Sequence, residues 1–352
     1  MRKAILLCLF ALAAFGQEPA PDPQRLVNEG IVLFDAGRFD EAIAKYKEAL
    51  AVDPKNTLAA YELSLAYAQK GDFAACRSTL EPIVSVPGPL QIGSLIMLGN
   101  CLDSAGDRKK AINTYRRALK VSPNDPRVEY ELGIALLADG KLADARELLK
   151  KDVTARPAHA TGRYALATAF EADNFRVPAT FEFLHFLALD PASGRAAVAA
   201  KHVRALLDLG VERKDGKNIN VTVDTHARTE EGDYSGMAMM LALMSAGRFT
   251  EEEGKKSEFE QVQGQLGSVI AMFLETSAEQ RDYTARVHRP FFESMQKEKL
   301  VDAYLAAALS TLQLPGTKEW AAKHEADIDR FVKWMQPQLG EKPAVEMPVP
   351  PK

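Results

Sequence analysis

NEGIVLFDAGRFDEAIAKYKEALAVDP, residues 28–54, decides how this chain folds. Two apolar-periodic stretches flank Gly37, and Pro54 closes the second, so the segment reads as a pair of helices joined by a tight turn. Gly30 and Ala42 are small where the two helices must approach, and Tyr46 is large enough to fill the groove between them. The pattern then recurs. Pro54, Gly88, Pro123, Pro157 and Pro191 follow one another at intervals of 34, 35, 34 and 34 residues, with Gly37, Gly71, Gly106, Gly140 and Asn174 about halfway through each unit. A fixed period of that length is the mark of stacked helical repeats.

The copies differ in fidelity. The third carries Leu98-Gly99, Leu102, Gly106, Ala111, Tyr115, Ala118 and Pro123, and the fourth Leu132-Gly133, Leu136, Gly140, Ala145, Leu149 and Pro157. The second is looser, with Ser64, Tyr67, Gly71, Cys76, Leu80 and Ile83. The fifth has Leu166-Ala167, Phe170, Asn174, Ala179, Phe183 and Pro191. Asparagine at 174 suits the left-handed turn that glycine takes elsewhere.

These five units resemble the tetratricopeptide repeat. The resemblance covers about half the chain and implies an all-α, TPR-like α-solenoid of about five helix pairs over residues 23–191. It also implies a groove, lined by the first helix of each pair, that holds a peptide or a partner helix. The residues placed on that groove are Phe34, Tyr61, Leu65, Gln69, Ile96, Asn100, Asp103, Tyr130, Ile134, Tyr164 and Glu171, joined by Val27, Ile31, Leu137 and Thr168. Tyr61, Tyr130 and Tyr164 occupy equivalent positions, and two readings stand: binding platforms with a wide apolar face and a hydroxyl, or fillers between adjacent first helices. A clamp for a C-terminal carboxylate does not fit, because Tyr61, Ile96 and Tyr130 stand where its lysines and asparagines would be, and only Asn100 suits. An extended peptide or amphipathic helix suits this partly apolar surface better.

Residues 1–16 have a positive start, Arg2-Lys3, an apolar run from Ala4 to Ala14, and small residues at its end. That reads as a secretory signal peptide, with a retained anchor helix as the alternative. A cleavable leader implies a periplasmic or secreted protein of the bacterial envelope, with no stable membrane span after cleavage. Residues 17–22 read as a linker. The net charge is −4 and no basic block stands out, which argues against a nucleic-acid partner. Beyond the leader only Cys76 and Cys101 remain, either bridged across neighbouring helices or packed as two buried thiols.

After Pro191 the period stops. Residues 192–210 read as a capping helix, with Ala197, Val198, Val203, Leu206 and Leu207 as its core positions. Residues 211–234 read as a linker with one short strand at NINVTV (218–223). Residues 235–340 read as a helical region: a methionine-rich stretch to Gly247, then Glu258 to Glu275, Tyr283 to Leu314 broken or bent near Pro290, and Lys318 to Leu339. LMSAGRF (243–249) copies LFDAGRF (33–39) and suggests a worn sixth repeat. Residues 341–352 hold four prolines and read as a disordered tail.

No catalytic signature, phosphate-cradling glycine loop or zinc spacing occurs, so no cofactor or metal is expected. His226, Glu230, Glu231 and Asp233 form the one compact group of potential acid–base or metal-ligating residues. An enzymatic or metal-binding domain over 211–340 is therefore the alternative reading. His324 reads as solvated helix surface, and Met237, Met239, Met240 and Met244 as core rather than a copper site.

Overall fold

The computed structural model describes residues 22–213, 219–222, 229–250, 252–277 and 279–338. The leader, the proline-rich tail and His226 lie outside the described residues. The fold is all-α and TPR-like, and the chain divides into two compact units, one through Ala118 and one from Leu119.

Unit 1 contains α1 (Pro23–Asp35), α2 (Phe39–Val52), α3 (Thr57–Gln69), α4 (Phe73–Leu80) and α5 (Gln91–Ser104), and most of α6 (Arg108–Val121). Local chemistry sets the helix starts. The side chains of Asp22, Asn56 and Asp72 accept from the backbone N–H of Gln24, Ala59 and Ala75, and Pro23 sits in the first turn of α1, where no N–H is missed. The turns repeat too: Arg38 N–H donates to Leu33 O, Asp72 N–H to Tyr67 O and Asp107 N–H to Leu102 O, each at 2.8–2.9 Å, around Gly37, Gly71 and Gly106 at φ +73°, +75° and +86°. This six-to-one closure needs a left-handed residue, which is why glycine keeps the beat. The first pair packs through Leu26, Val27, Ala42, Ile43, Tyr46 and Ala49. Gly99 lies under the Tyr115 ring so closely that a β-carbon there would overlap it.

Unit 2 begins with α7 (Pro126–Ala138), α8 (Leu142–Ala155), α9 (Ala160–Ala172) and α10 (Arg176–Leu189). Asn174 takes the turn with φ +59°, the glycine role expected of it. The helices that precede Pro54, Pro123, Pro157 and Pro191 end at Val52, Val121, Ala155 and Leu189, two residues short of the ring, as its clash with a preceding helical residue requires.

Next come α11 (Ala196–Asp208), an antiparallel pair β1 (Val211–Arg213) and β2 (Ile219–Val221) in register Val211–Val221, and α12 (Ser235–Gly247). Then follow α13 (Glu258–Thr276), α14 (Tyr283–Lys297), α15 (Val301–Leu309), α16 (Thr317–Lys323) and α17 (Glu325–Met335). All residues of α10 from Arg176 to Ala188 are buried, because α9, α11, α12 and α15 surround it. Its sequence, RVPATFEFLHFLAL, is apolar around most of its circumference, and such a helix needs cover on every side. Phe181 meets Phe273 of α13 and Phe292 of α14, both at 4.9 Å between ring centres.

Several sequence readings shift here. On α11 the buried stripe is Ala196, Ala199, Ala200, Val203, Leu206 and Leu207, while Ala197 is exposed and Val198 faces solvent. α14 runs through Pro290, and the chain breaks at Glu298–Leu300 instead, around Lys299 at φ +55°. The polar run Gln296-Lys297-Glu298-Lys299 lies at that break, where Leu300 N–H closes on Met295 O at 2.9 Å, and α15 then packs on α10 and α13. The last stretch divides into α16 and α17 at His324. The supposed sixth repeat is not packed as the first is, since Leu243 and Phe249 are exposed. Of the methionine stripe only Met237 is buried, and Met239 is exposed.

Candidate protein-binding face on the first helices

The first helices lie beside one another, α1 with α3 and α3 with α5 in unit 1, and α7 with α9 in unit 2. All eleven groove residues named from sequence are half-buried on them. Val27, by contrast, is fully buried in the first pair's core, one turn too early to reach a surface.

In unit 1, Phe34, Leu65 and Ile96 present apolar side chains that no neighbouring helix fully covers. Tyr61 packs against Gly93 on the next first helix. Asn100 accepts from the Tyr115 hydroxyl, and Asp103 pairs with Arg108 at 2.8 Å. Gln69 is half-buried at the end of α3. In unit 2, Tyr130 meets His159 edge-on at 4.7 Å with Arg156 over its ring, and Tyr164 meets Phe186 at 5.3 Å with Arg195 over its ring. Burial pushes the Tyr164 phenol pKa up. Glu171 pairs with His202 at 2.8 Å, and Ile134 stays half-exposed. The three tyrosines thus meet the start of the following helix unit and still keep one edge accessible. The polar members are tied to their own chain, so the accessible remainder is chiefly apolar.

The loop group resolves differently. Glu231 is buried, pairing with Arg146 at 3.1 Å and with Lys150 at 3.0 Å, while Asp233 accepts from Ser235 N–H at the start of α12. Glu230 is exposed. Two of the four candidates are therefore occupied with holding the segment in place, and no group of three metal-ligating side chains occurs among the described residues. His324 is half-buried: its ring stacks on Trp320 at 4.0 Å and its Nδ1 faces Trp320 O at 2.9 Å. Cys76 and Cys101 are joined by a disulfide with Cα atoms 6.3 Å apart, linking α4 to α5.

Sequence reasoning missed a polar cluster at the heart of unit 2. Glu182 on α10 is fully buried and accepts from Arg163 Nη1 at 3.1 Å, from the Tyr283 hydroxyl at 2.7 Å and from His288 Nε2 at 2.9 Å, the tautomer following from the carboxylate it faces. Burial alone would raise its pKa, yet the Arg163 guanidinium and His288 hold the carboxyl well below the usual range. Also on α10, Arg176 donates to the carbonyls of Leu206, Leu207 and Ala238, and burial lowers it to about 10. The visible signal was the charge set within FEFLH (181–185), too apolar a helix to carry polar residues without partners.

Two family models, each described as Tetratricopeptide repeat, match residues 33–86 and 96–160, the segments whose turns and close-packed pairs are set out above. Those two segments of the chain thus carry tetratricopeptide repeats, and such repeats support a protein–protein interaction scaffold. It is 28% identical over 170 residues to BBSome complex member bbs-4 of Caenorhabditis elegans, covering 48% of this chain and 36% of that protein. It is 29% identical over 155 residues to cellulose synthase 1 operon protein C of Komagataeibacter xylinus, covering 42% and 11%. The matches thus span about a third and about a tenth of these relatives.

Among solved structures, YrrB, titled a TPR protein with an unusual peptide-binding site, gives 20% identity and a TM-score of 0.42 over 52% of this chain and 92% of its own. Pseudomonas aeruginosa pilF gives 18% and 0.47 over 52% and 82%. Likeness at that level says nothing of what this chain binds.

Proposed function

We propose that this chain is a non-enzymatic adaptor of the bacterial cell envelope that holds an extended peptide or an amphipathic helix on its first-helix face. One observation carries the reading: Phe34, Leu65 and Ile96 stay half-exposed on the successive first helices of unit 1. Spaced apolar anchors of this kind suit a helix or strand laid across them. The envelope assignment is supported by the leader-like residues 1–16 and by the Cys76–Cys101 disulfide, a bond that persists in oxidising compartments.

The test is affinity capture from envelope extract with wild type and with Leu65→Glu/Ile96→Glu, circular dichroism first showing equal helicity. The reading expects a specific partner to vanish from the variant. An unchanged set of captured proteins would refute it. For location, protease accessibility in intact and permeabilised cells, with and without residues 1–16, should show a mature protein protected until the outer barrier is opened, and a cytoplasmic pool in both forms would overturn the assignment.

A further inference from the structure

We propose that unit 1 has a second docking surface, separate from the first-helix face, which takes an acidic, leucine-bearing segment of a partner polypeptide. Between α4, α5 and α6 lies an open groove of about 600 Å³. Its floor is Val84, Leu98 and Leu102, each at most 5% exposed, and its rim carries Arg77, Lys110 and Arg117, all exposed. Glu81 is its one acidic lining residue and lies 3.4 Å from Arg77.

The charge has a source in the sequence of α6, RKKAINTYRRALKV, which has no acidic residue. Ala111, Ile112, Thr114, Tyr115 and Ala118 form its buried stripe, so its cations gather on the outward face. Lys110 has Asp107 at 2.6 Å, whereas Arg117 has no carboxylate within ion-pair distance among the described residues. In a chain of net charge −4, this basic rim stands against the prevailing sign and selects an acidic partner. The leucine floor points to a polypeptide: an aliphatic side chain would fill it, while a phosphate backbone would gain nothing there and would meet Glu81.

Two features make the surface distinct and already formed. On α5, Leu98 and Leu102 share one stripe, while Ile96, Asn100 and Asp103 lie more than about 90° around the helix at 3.6 residues per turn. The Cys76–Cys101 disulfide joins the residue before Arg77 to the residue before Leu102, fixing rim to floor and lowering the ordering cost of binding.

The test uses the full chain and a fluorescein-labelled peptide, EELLEELLEE, followed by fluorescence anisotropy. Binding should weaken with salt, Lys110→Glu/Arg117→Glu should raise Kd by about tenfold or more, and the distant control Lys201→Glu/Lys318→Glu should stay within about twofold. If the reversal reduces helicity, the neutral Lys110→Gln/Arg117→Gln carries the same test, with a loss of about threefold. Equal loss in the control, or no loss in either rim variant, overturns the proposal. So does EEQQEEQQEE binding as tightly as the leucine peptide, which would remove the apolar floor. Tighter binding of single-stranded DNA of equal charge, or of anionic vesicles, would also overturn it.

Discussion

Replacing Glu182 by leucine removes the one carboxylate on which three donors from two other helices converge. Arg163, only 2% exposed, would lose its paired carboxylate and keep only the weaker influence of Asp152. Breaking a buried pair from one side destabilises by about 3–5 kcal/mol, because the remaining charge stays out of water. Tyr283 and His288 also lose their acceptor, about 1–3 kcal/mol each if nothing replaces it, while the new leucine recovers part of this by burying apolar surface at a fully buried position of α10. The net expectation is a loss of about 4 kcal/mol, or about 8–16 °C in the Tm of a unit this size. Urea and thermal melts followed by circular dichroism would read it. The decisive comparison is Arg163→Met/Glu182→Leu: with the charge gone from both sides, the double variant should be clearly more stable than the sum of the two singles. Simple additivity, or a Glu182→Leu loss under about 1 kcal/mol, would show that the cluster is not coupled and that the reasoning is wrong.

Three further outcomes follow from the geometry. Gly99→Ala puts a methyl into the Tyr115 ring and should destabilise unit 1 by about 1–3 kcal/mol in urea melts; a neutral result would mean that α5 and α6 separate freely. Replacing Cys76 and Cys101 by serine opens a loop with 25 residues of sequence separation and should lower stability by about 3.5 kcal/mol on the chain-entropy relation, with dithiothreitol reproducing the loss only in wild type. Burial, then Arg163 and His288, push the His185 pKa well below 6.5, so the unfolded chain takes up that proton first. The depressed Glu182 acts in the same direction at lower pH. The urea midpoint should therefore fall as pH drops from about 7 to about 5, at up to about 1.4 kcal/mol per unit from His185, and His185→Phe should flatten that portion. A midpoint that is flat or rises towards pH 5 in wild type would contradict the burial of a neutral His185.

The boundary between what was legible and what was not follows the range of the interactions. Gly37, Gly106, Asn174 and the prolines act within a few residues of themselves, so a single sequence states where each helix turns and stops. Gly30 with Tyr46, and Gly99 with Tyr115, face each other across the two helices of one pair, and the repeated offset exposes them. Val198 and Pro290 misled for the opposite reason. Which stripe of α11 is buried, and where the helix after Tyr283 ends, depend on α10, α12, α13 and α15 packing from distant parts of the chain.

The sequence by itself determined the helix pairs and their turns, because a 34-residue period writes local geometry over and over. Only the tertiary structure decided that α10 is enclosed on all sides, that Glu182 answers to Tyr283 and His288 more than a hundred residues away, and that Glu231 pairs with both Arg146 and Lys150. Those contacts have no period and no fixed spacing. They arise because a buried charge must find its partner in three dimensions, wherever along the chain that partner lies.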